Sequence, residues 1–182
     1  VKAVEYYLAE EFKKSKALAP YISFIHFGCT SEDINNVAYA LMLNDLKTQL
    51  SQPIESILLD IKNMADSYHD RAMLSRTHGQ AASPTTLGKE FRIFYERINR
   101  IYQQFVDTPI LAKFNGAVGN YHAHLAAYPN IDWPKLTETF ISRLGLSFNA
   151  FTTQIEPHDN LVTHLSLASQ VNTILIDFCR DI

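Results

Sequence analysis

Several features that commonly announce a function are scarce or missing in this chain of 182 residues. Its two cysteines, Cys29 and Cys179, stand far apart, with neither a CxxC pair nor the histidine spacing that would build a metal site around them. No apolar run approaches the ~18 residues of a membrane span. Neither sign of charge dominates: 16 Lys and Arg are interspersed with 19 Asp and Glu for a net charge of -3, so there is no electrostatic footprint for DNA, RNA or an anionic membrane. Neither a macromolecular nucleic acid nor a membrane is expected as a partner. There is no GxSxG, no cysteine beside a histidine and no metal-ligand cluster, so acyl transfer and metal-assisted hydrolysis lack their central residue. We assign no metal, and His122 and His124, separated only by Ala123, do not share the i, i+4 face of a helical metal site. Internal repeats and low-complexity linkers are also absent.

What remains is 47% apolar and 12% aromatic, enough for one real core in a domain of ordinary size. Its periodicity is helical throughout, with no strand alternation, and the expected fold class is all-α, a long-helix bundle. From Ile34 to about Tyr68 apolar residues keep a rough 3.6 period, and Pro53 predicts a bend or short break. From Pro84 to about Val106 the series Leu87, Phe91, Phe94, Ile98, Ile101, Phe105 is spaced four, three, four, three, four, a seam for lengthwise helix packing. A third long pattern begins near Pro157 and carries Leu161, Leu165, Ala168, Val171, Leu175 and Phe178. Shorter helices are expected at 1–14 and 134–144. Helices this long in so short a chain cannot cover one another all round, which predicts an oligomer.

Four polar segments interrupt the helices. In Ser75-Arg76-Thr77-His78-Gly79-Gln80-Ala81-Ala82-Ser83-Pro84, His78 stands among small hydrogen-bonding residues without periodicity, the setting of a working rather than a structural histidine. Ser83-Pro84 there reads as an N-cap followed by Pro at the first helical position. In Gly28-Cys29-Thr30-Ser31-Glu32-Asp33, Thr30 and Asp33 match a capping box opening the long helix. The hydroxyls of Thr30 and Ser31 beside that helix start suit a carboxylate or phosphate, or serve as a plain cap. His26, two residues before Gly28, reads by itself as a core histidine. In Lys113-Phe114-Asn115-Gly116-Ala117-Val118-Gly119-Asn120 two glycines suit a tight turn near a ligand or another helix, without the spacing of a phosphate loop. In Thr152-Thr153-Gln154-Ile155-Glu156-Pro157-His158-Asp159, polar side chains again run into a helix start, with Gln154 able to donate and accept. Three helix starts dressed with Thr, Ser, Gln and His describe a site for an anionic substrate with one acid or base, and proton transfer is the chemistry left open.

These segments resemble the fumarase and aspartase superfamily and, within it, the adenylosuccinate lyases. Thr30-Ser31-Glu32-Asp33-Ile34-Asn35-Asn36 looks like the family's first signature region, and Ser75-Arg76-Thr77-His78-Gly79-Gln80 with Ala82, Pro84 and Thr85 looks like the second. Gly79 stands where fumarases and argininosuccinate lyases usually have Leu. Asn115-Gly116-Ala117-Val118-Gly119-Asn120 and Thr153-Gln154-Ile155-Glu156-Pro157-His158-Asp159 also look like adenylosuccinate lyase sequence, so the resemblance runs over essentially the whole chain. It implies a β-elimination that releases fumarate from adenylosuccinate, giving AMP, and from succinylaminoimidazole carboxamide ribotide. The substrate is then a purine-pathway nucleotide carrying a succinyl group, and no cofactor is required. His78 matches the acid that protonates the departing nitrogen, a role imidazole suits near neutral pH. Thr30, Ser31 and Gln154 match residues that bind substrate, His26 a histidine close to it, and Thr77 follows by its place beside His78.

The family's third region, a mobile Gly-Ser-Ser-x-Met-Pro-x-Lys-x-Asn-Pro loop whose serine is the base, occurs nowhere in these residues. The expectation is therefore a piece cut at both ends and inactive alone: residues 1–20 the tail of an N-terminal domain, 21–182 the first half of the central helical-bundle domain. The resemblance further implies a homotetramer whose active sites take residues from several subunits, and the cysteine usage suits the cytoplasm. Two rival readings are a sibling lyase acting on argininosuccinate, against which Gly79 and Thr153-Gln154-Ile155 argue, and a helical assembly module without chemistry.

Overall fold

The computed structural model describes residues 2–182. Helix α1 (Lys2–Lys14) is followed by a 3₁₀ turn (Ala19–Phe24), then α2 (Ser31–Ser67), an antiparallel hairpin of β1 (Ala72–Thr77) and β2 (Gln80–Thr86), and α3 (Leu87–Asp107). A two-residue strand β3 (Leu111–Ala112), α4 (His122–Ala127), α5 (Trp133–Arg143), the two-residue strand β4 (Ser147–Phe148) and α6 (Asp159–Asp181) complete the order. The mostly helical class is as expected, and the five expected helices are present, although Val1, placed in the first of them, lies outside the described residues. Among the described residues no helix is long and apolar enough to cross a membrane.

The chain forms two compact units, Val1–Asn44 with Pro109–Asn160, and Asp45–Thr108 with Leu161–Ile182. Helix α2 contributes to both. Pro53 lies inside it without breaking it. The proline removes one backbone donor, but the apolar face on either side continues in phase, and Ile54, Leu58 and Ile61 are all buried.

The second unit is a three-helix bundle. Ile54, Leu58 and Ile61 of α2 pack with Phe94, Ile98, Tyr102 and Phe105 of α3 and Leu167, Val171 and Ile174 of α6. Ile98, midway along the α3 seam, has no solvent exposure. The seam expected on α6 is rotated: Leu165 is half exposed, while His164, Leu167, Val171 and Ile174 face inward. This helix carries more than one apolar stripe, and only the fit to its neighbours selects among them. Arg97 of α3 reaches Asp177 of α6 at 2.7 Å, and the Tyr102 hydroxyl donates to Glu55 of α2 at 2.6 Å.

The entry into α3 corrects two expectations. Residues 72–86 are a β-hairpin rather than an aperiodic loop, and Pro84 lies in β2 opposite Leu74 instead of opening a helix. The N-cap of α3 is Thr86, whose hydroxyl accepts from the Lys89 backbone N–H at 3.3 Å. Proline, lacking a donor, is tolerated here because the hairpin has only two strands, and Leu74 to Arg76 pairs irregularly with the Ala81 to Pro84 stretch. Gly88 then lets α3 begin against the end of α2 backbone to backbone, its N–H donating to the Tyr68 carbonyl at 2.9 Å. A Cβ at Gly88 would collide with the Ala65 carbonyl oxygen and the His69 backbone.

The first unit gathers rings around Phe27, with His124, Tyr128 and Trp133 all within 6.1 Å, centroid to centroid. Helix α5 opens with Asp132 capping the Lys135 N–H at 3.1 Å and a Trp-Pro first turn. Ile141 and Ala112 are wholly buried, and β3 pairs in parallel with β4 through Leu111↔Ser147.

The collision at Gly88 generates a test. Gly88→Ala should lower stability by about 1–3 kcal/mol, as forced overpacking does when backbone rather than a side-chain end must give way. A urea unfolding midpoint unchanged from wild type would contradict the packing described.

Candidate active site

His78 and Thr77 belong to the second unit. His78 and Gly79 are the two turn residues of the hairpin, both with left-handed backbone, φ 52° and 71°, flanked by the Thr77↔Gln80 pair. Two consecutive positive-φ residues are the signature of the type I′ turn that matches the twist of tight hairpins. Glycine adopts that conformation freely, whereas His78 adopts it at some strain cost. The result is an imidazole held at the tip of a projecting hairpin, exposed together with Thr77 and Gln80. Strain and exposure in one histidine suit a group presented for chemistry rather than for packing.

In the first unit the structure brings Thr30, Ser31 and Gln154 together. Helix α2 starts at Ser31, and the Thr30 backbone N–H donates to Asp33 Oδ2 at 2.8 Å, one half of the expected capping box. The Thr30 hydroxyl is not absorbed by a reciprocal cap. It accepts instead from Gln154 Nε2 at 3.1 Å, across 124 residues of sequence. A hydroxyl and an amide thus share one hydrogen bond at a helix N-terminus, a pair able to turn toward a carboxylate placed beside them. Ser31 is exposed at the same helix start.

His26 also has left-handed backbone, φ 62°, and its Nδ1 lies 3.1 Å from Glu5 Oε1 of α1. It is neither fully exposed nor a satisfied core histidine. Its contact with an acidic residue of the first helix was not visible from its surroundings in the sequence. The buried histidine of this unit is His124, packed 4.8 Å from Trp133 and against Gly28. Burial holds its imidazole below the ordinary value, so it is neutral at pH 7.

The loops that carry these groups are fixed by a polar cluster that patterning did not reveal. Asp33 Oδ1 receives the Lys113 ammonium at 2.9 Å and the Asn115 backbone N–H at 3.1 Å. Asn36 makes a two-way bond with the Lys113 backbone, donating to its carbonyl at 3.0 Å and accepting from its N–H at 2.8 Å. Lys113 Nζ also donates to the Gly116 carbonyl at 3.1 Å, and Asn115 Nδ2 donates to the Thr152 hydroxyl at 2.9 Å. Asp33, Lys113 and Asn115 have no solvent exposure at all. Gly119, at φ 79°, passes so close to the Thr152 carbonyl that a side chain there would collide with it. The two-glycine segment is therefore the close-packed turn that its spacing allowed. Beyond it, buried Glu156 accepts from Asn149 Nδ2 at 3.2 Å and from the His158 N–H at 2.9 Å, which holds the chain around Gln154.

In the first unit the motifs lie on loops pinned by buried polar groups around a helix start, which suits binding of an anion; in the second a histidine is displayed on a hairpin, which suits transfer of a proton. The chain belongs to the Lyase family, whose model matches residues 1–182. It is 53% identical over 183 aligned residues to adenylosuccinate lyase of Legionella pneumophila (strain Corby) and 49% identical to that of Escherichia coli (strain K12). Each alignment takes in the whole chain and 40% of the relative, so the chain spans about two fifths of the length of the curated relatives it matches. Among solved structures it resembles 3-carboxy-cis,cis-muconate lactonizing enzyme from Pseudomonas putida, with a TM-score of 0.78 at 23% identity over 100% of this chain and 39% of that one. It also resembles a fumarate lyase from Mesorhizobium sp. BNC1, with a TM-score of 0.75 at 22% identity over 87% of this chain and 37% of that one. At these identities the likeness is one of fold.

One residue beside the site is chemically quiet. Burial, reinforced by the negative charge of Asp33, pushes the Cys29 thiol up to about 12. At pH 8 only about one molecule in ten thousand then carries a thiolate there. Iodoacetamide at pH 8 should therefore label exposed Cys179 and spare Cys29, as read by mass spectrometry of the native protein. Equal labelling of both would show that the turn before α2 is open.

Proposed function

We propose that this chain is part of an adenylosuccinate lyase, which eliminates fumarate from adenylosuccinate to give AMP and from succinylaminoimidazole carboxamide ribotide. The observation that carries the reading is identity of about one residue in two with adenylosuccinate lyases over alignments that take in the whole chain. The relatives at this level are adenylosuccinate lyases, which favours that substrate over argininosuccinate. In this reading residues 21–182 are the first half of the central helical domain, and residues 1–20 are the tail of the domain before it.

The roles follow from the chemistry of each group. His78 is the general acid: a base outside these residues removes a proton from the succinyl carbon, and the imidazolium protonates the nitrogen as the carbon–nitrogen bond breaks. Thr30, Ser31 and Gln154 bind substrate carboxylate through the α2 start and the Gln154–Thr30 hydrogen bond. His26, with Glu5 beside it, lies close to the substrate, and Thr77 binds substrate beside His78. The reaction needs no cofactor. The enzyme works as a cytoplasmic homotetramer, an assembly supported by large apolar side chains left open along both long helices, among them Tyr39, Met42 and Leu59 on α2 and Val162, Leu165 and Ile176 on α6.

In the full-length protein, His78→Ala should lower turnover of adenylosuccinate by about 100-fold or more, the usual share of general acid catalysis, with KM little changed. Fumarate release is followed by its ultraviolet absorbance, with argininosuccinate as the control substrate. Turnover unchanged in the variant would remove His78 from the reaction, and release from argininosuccinate instead would name the sibling activity.

A further inference from the structure

We propose that Lys113 is a positioning residue for substrate binding, acting through Asp33 on Thr30 and, with Asn115, on the loop that carries Gln154. The inference rests on the functional reading above and deepens it.

The geometry assigns the role. One carboxylate serves three donors: Asp33 Oδ2 holds the Thr30 backbone N–H, while Oδ1 holds the Lys113 ammonium and the Asn115 backbone N–H. The Thr30 backbone, whose hydroxyl faces Gln154, is therefore fixed by the same group that Lys113 neutralises. From Asn115 the constraint continues through its side-chain amide to the Thr152 hydroxyl, two residues before Gln154. From Lys113 it continues to the Gly116 carbonyl, which also accepts from the Gly119 N–H at 3.3 Å and so closes the turn against which the Thr152 backbone lies. Both arms meet again where Gln154 Nε2 reaches the Thr30 hydroxyl. The result is a closed loop of bonds in which Lys113, Asp33 and Asn115 are all wholly buried.

A purely structural pair would be an expensive solution, because two charges taken wholly out of water can be matched by apolar residues of similar volume. What apolar residues cannot do is hold a helix start and two loops in one register by directional bonds. The pair is also neutral as a unit. Asp33 alone, in the first turn of α2, would set a negative charge at the point where a substrate carboxylate is to be held. Lys113 cancels that charge without offering its own ammonium to solvent or ligand.

The test uses the full-length protein and its wild-type activity on adenylosuccinate. Lys113→Met leaves Asp33 buried without its partner, freeing Thr30 and the Gln154 loop, and kcat/KM should fall by about 100-fold, the cost of a small misplacement of binding groups. The loss should lie mainly in KM, since Lys113 touches no reacting atom. The double variant Asp33→Asn with Lys113→Met removes both charges and keeps an acceptor for Thr30, so it should recover part of the KM while kcat stays near the single variant's value. If Lys113→Met does not fold, the double variant alone carries the test, with a raised KM and near-normal kcat expected. A KM within twofold of wild type in the folded variant, whatever its urea midpoint, overturns the proposal and leaves Lys113 a stability residue. A wild-type protein inactive on adenylosuccinate overturns the functional reading and this proposal with it.

Discussion

A carboxylate and an ammonium buried together lose their hydration, and their attraction repays that loss only when further bonds use the remaining lone pairs and protons. At Asp33 and Lys113 those further bonds are the backbone N–H groups of Thr30 and Asn115 and the carbonyl of Gly116. The first unit depends on this arrangement because its polar loops lack periodic apolar faces to hold them. The start of α2, the turn at residues 116–119 and the stretch at 152–156 are connected by directional bonds instead. Thr30 and Gln154, two of the groups proposed to meet the substrate, stand at the outer ends of those bonds.

The second unit is held differently. Its stability comes from the seam joining α2, α3 and α6, where Ile98 and Phe105 are buried almost completely and Phe94 meets Phe178 at 5.1 Å. Gly88 sets the approach of α3 to α2, and the hairpin leaves α2 just before that contact. His78 is thus displayed from a rigid base although its own strands are mostly exposed. A hydrophobic seam suits this task, since it fixes helix positions without consuming the polar side chains that face solvent. The cost of the design is apolar surface on the outer faces of α2 and α6, which a larger assembly would cover.

Much of this organisation was legible in the residue order. The alternation of four and three between Leu87 and Phe105 placed α3 to within a few residues and identified its buried side. Thr30 and Asp33 marked the start of α2 because a capping box is a local device, decided within four residues. The expectation failed where local signals were ambiguous. Ser83-Pro84 carries the signature of a helix start, yet the chain turns at His78-Gly79 and pairs Pro84 with Leu74, so the cap falls on Thr86. On α6, Leu165 and Leu167 are both apolar, and neither declares which of them faces inward. Lys113 and Asn115 gave no signal, because a lysine in a polar segment is ordinarily solvated, and its partner Asp33 lies 80 residues away.

The residue order by itself determined the helical class, the extent of the long helices, the polar segments and the family, since each rests on periodicity, capping or contiguous motif, all properties of neighbours in sequence. Tertiary structure alone decided that the Thr30 hydroxyl meets Gln154, that Asp33 is neutralised by Lys113, and that His78 stands at a strained hairpin tip. The third is local, but Ser83-Pro84 carried the competing signal of a helix start. The first two depend on groups brought together from distant parts of the chain, and on burial that converts an ordinary lysine into a fixed counter-charge. Pairings of that kind have no period and no spacing, so only the folded chain shows them.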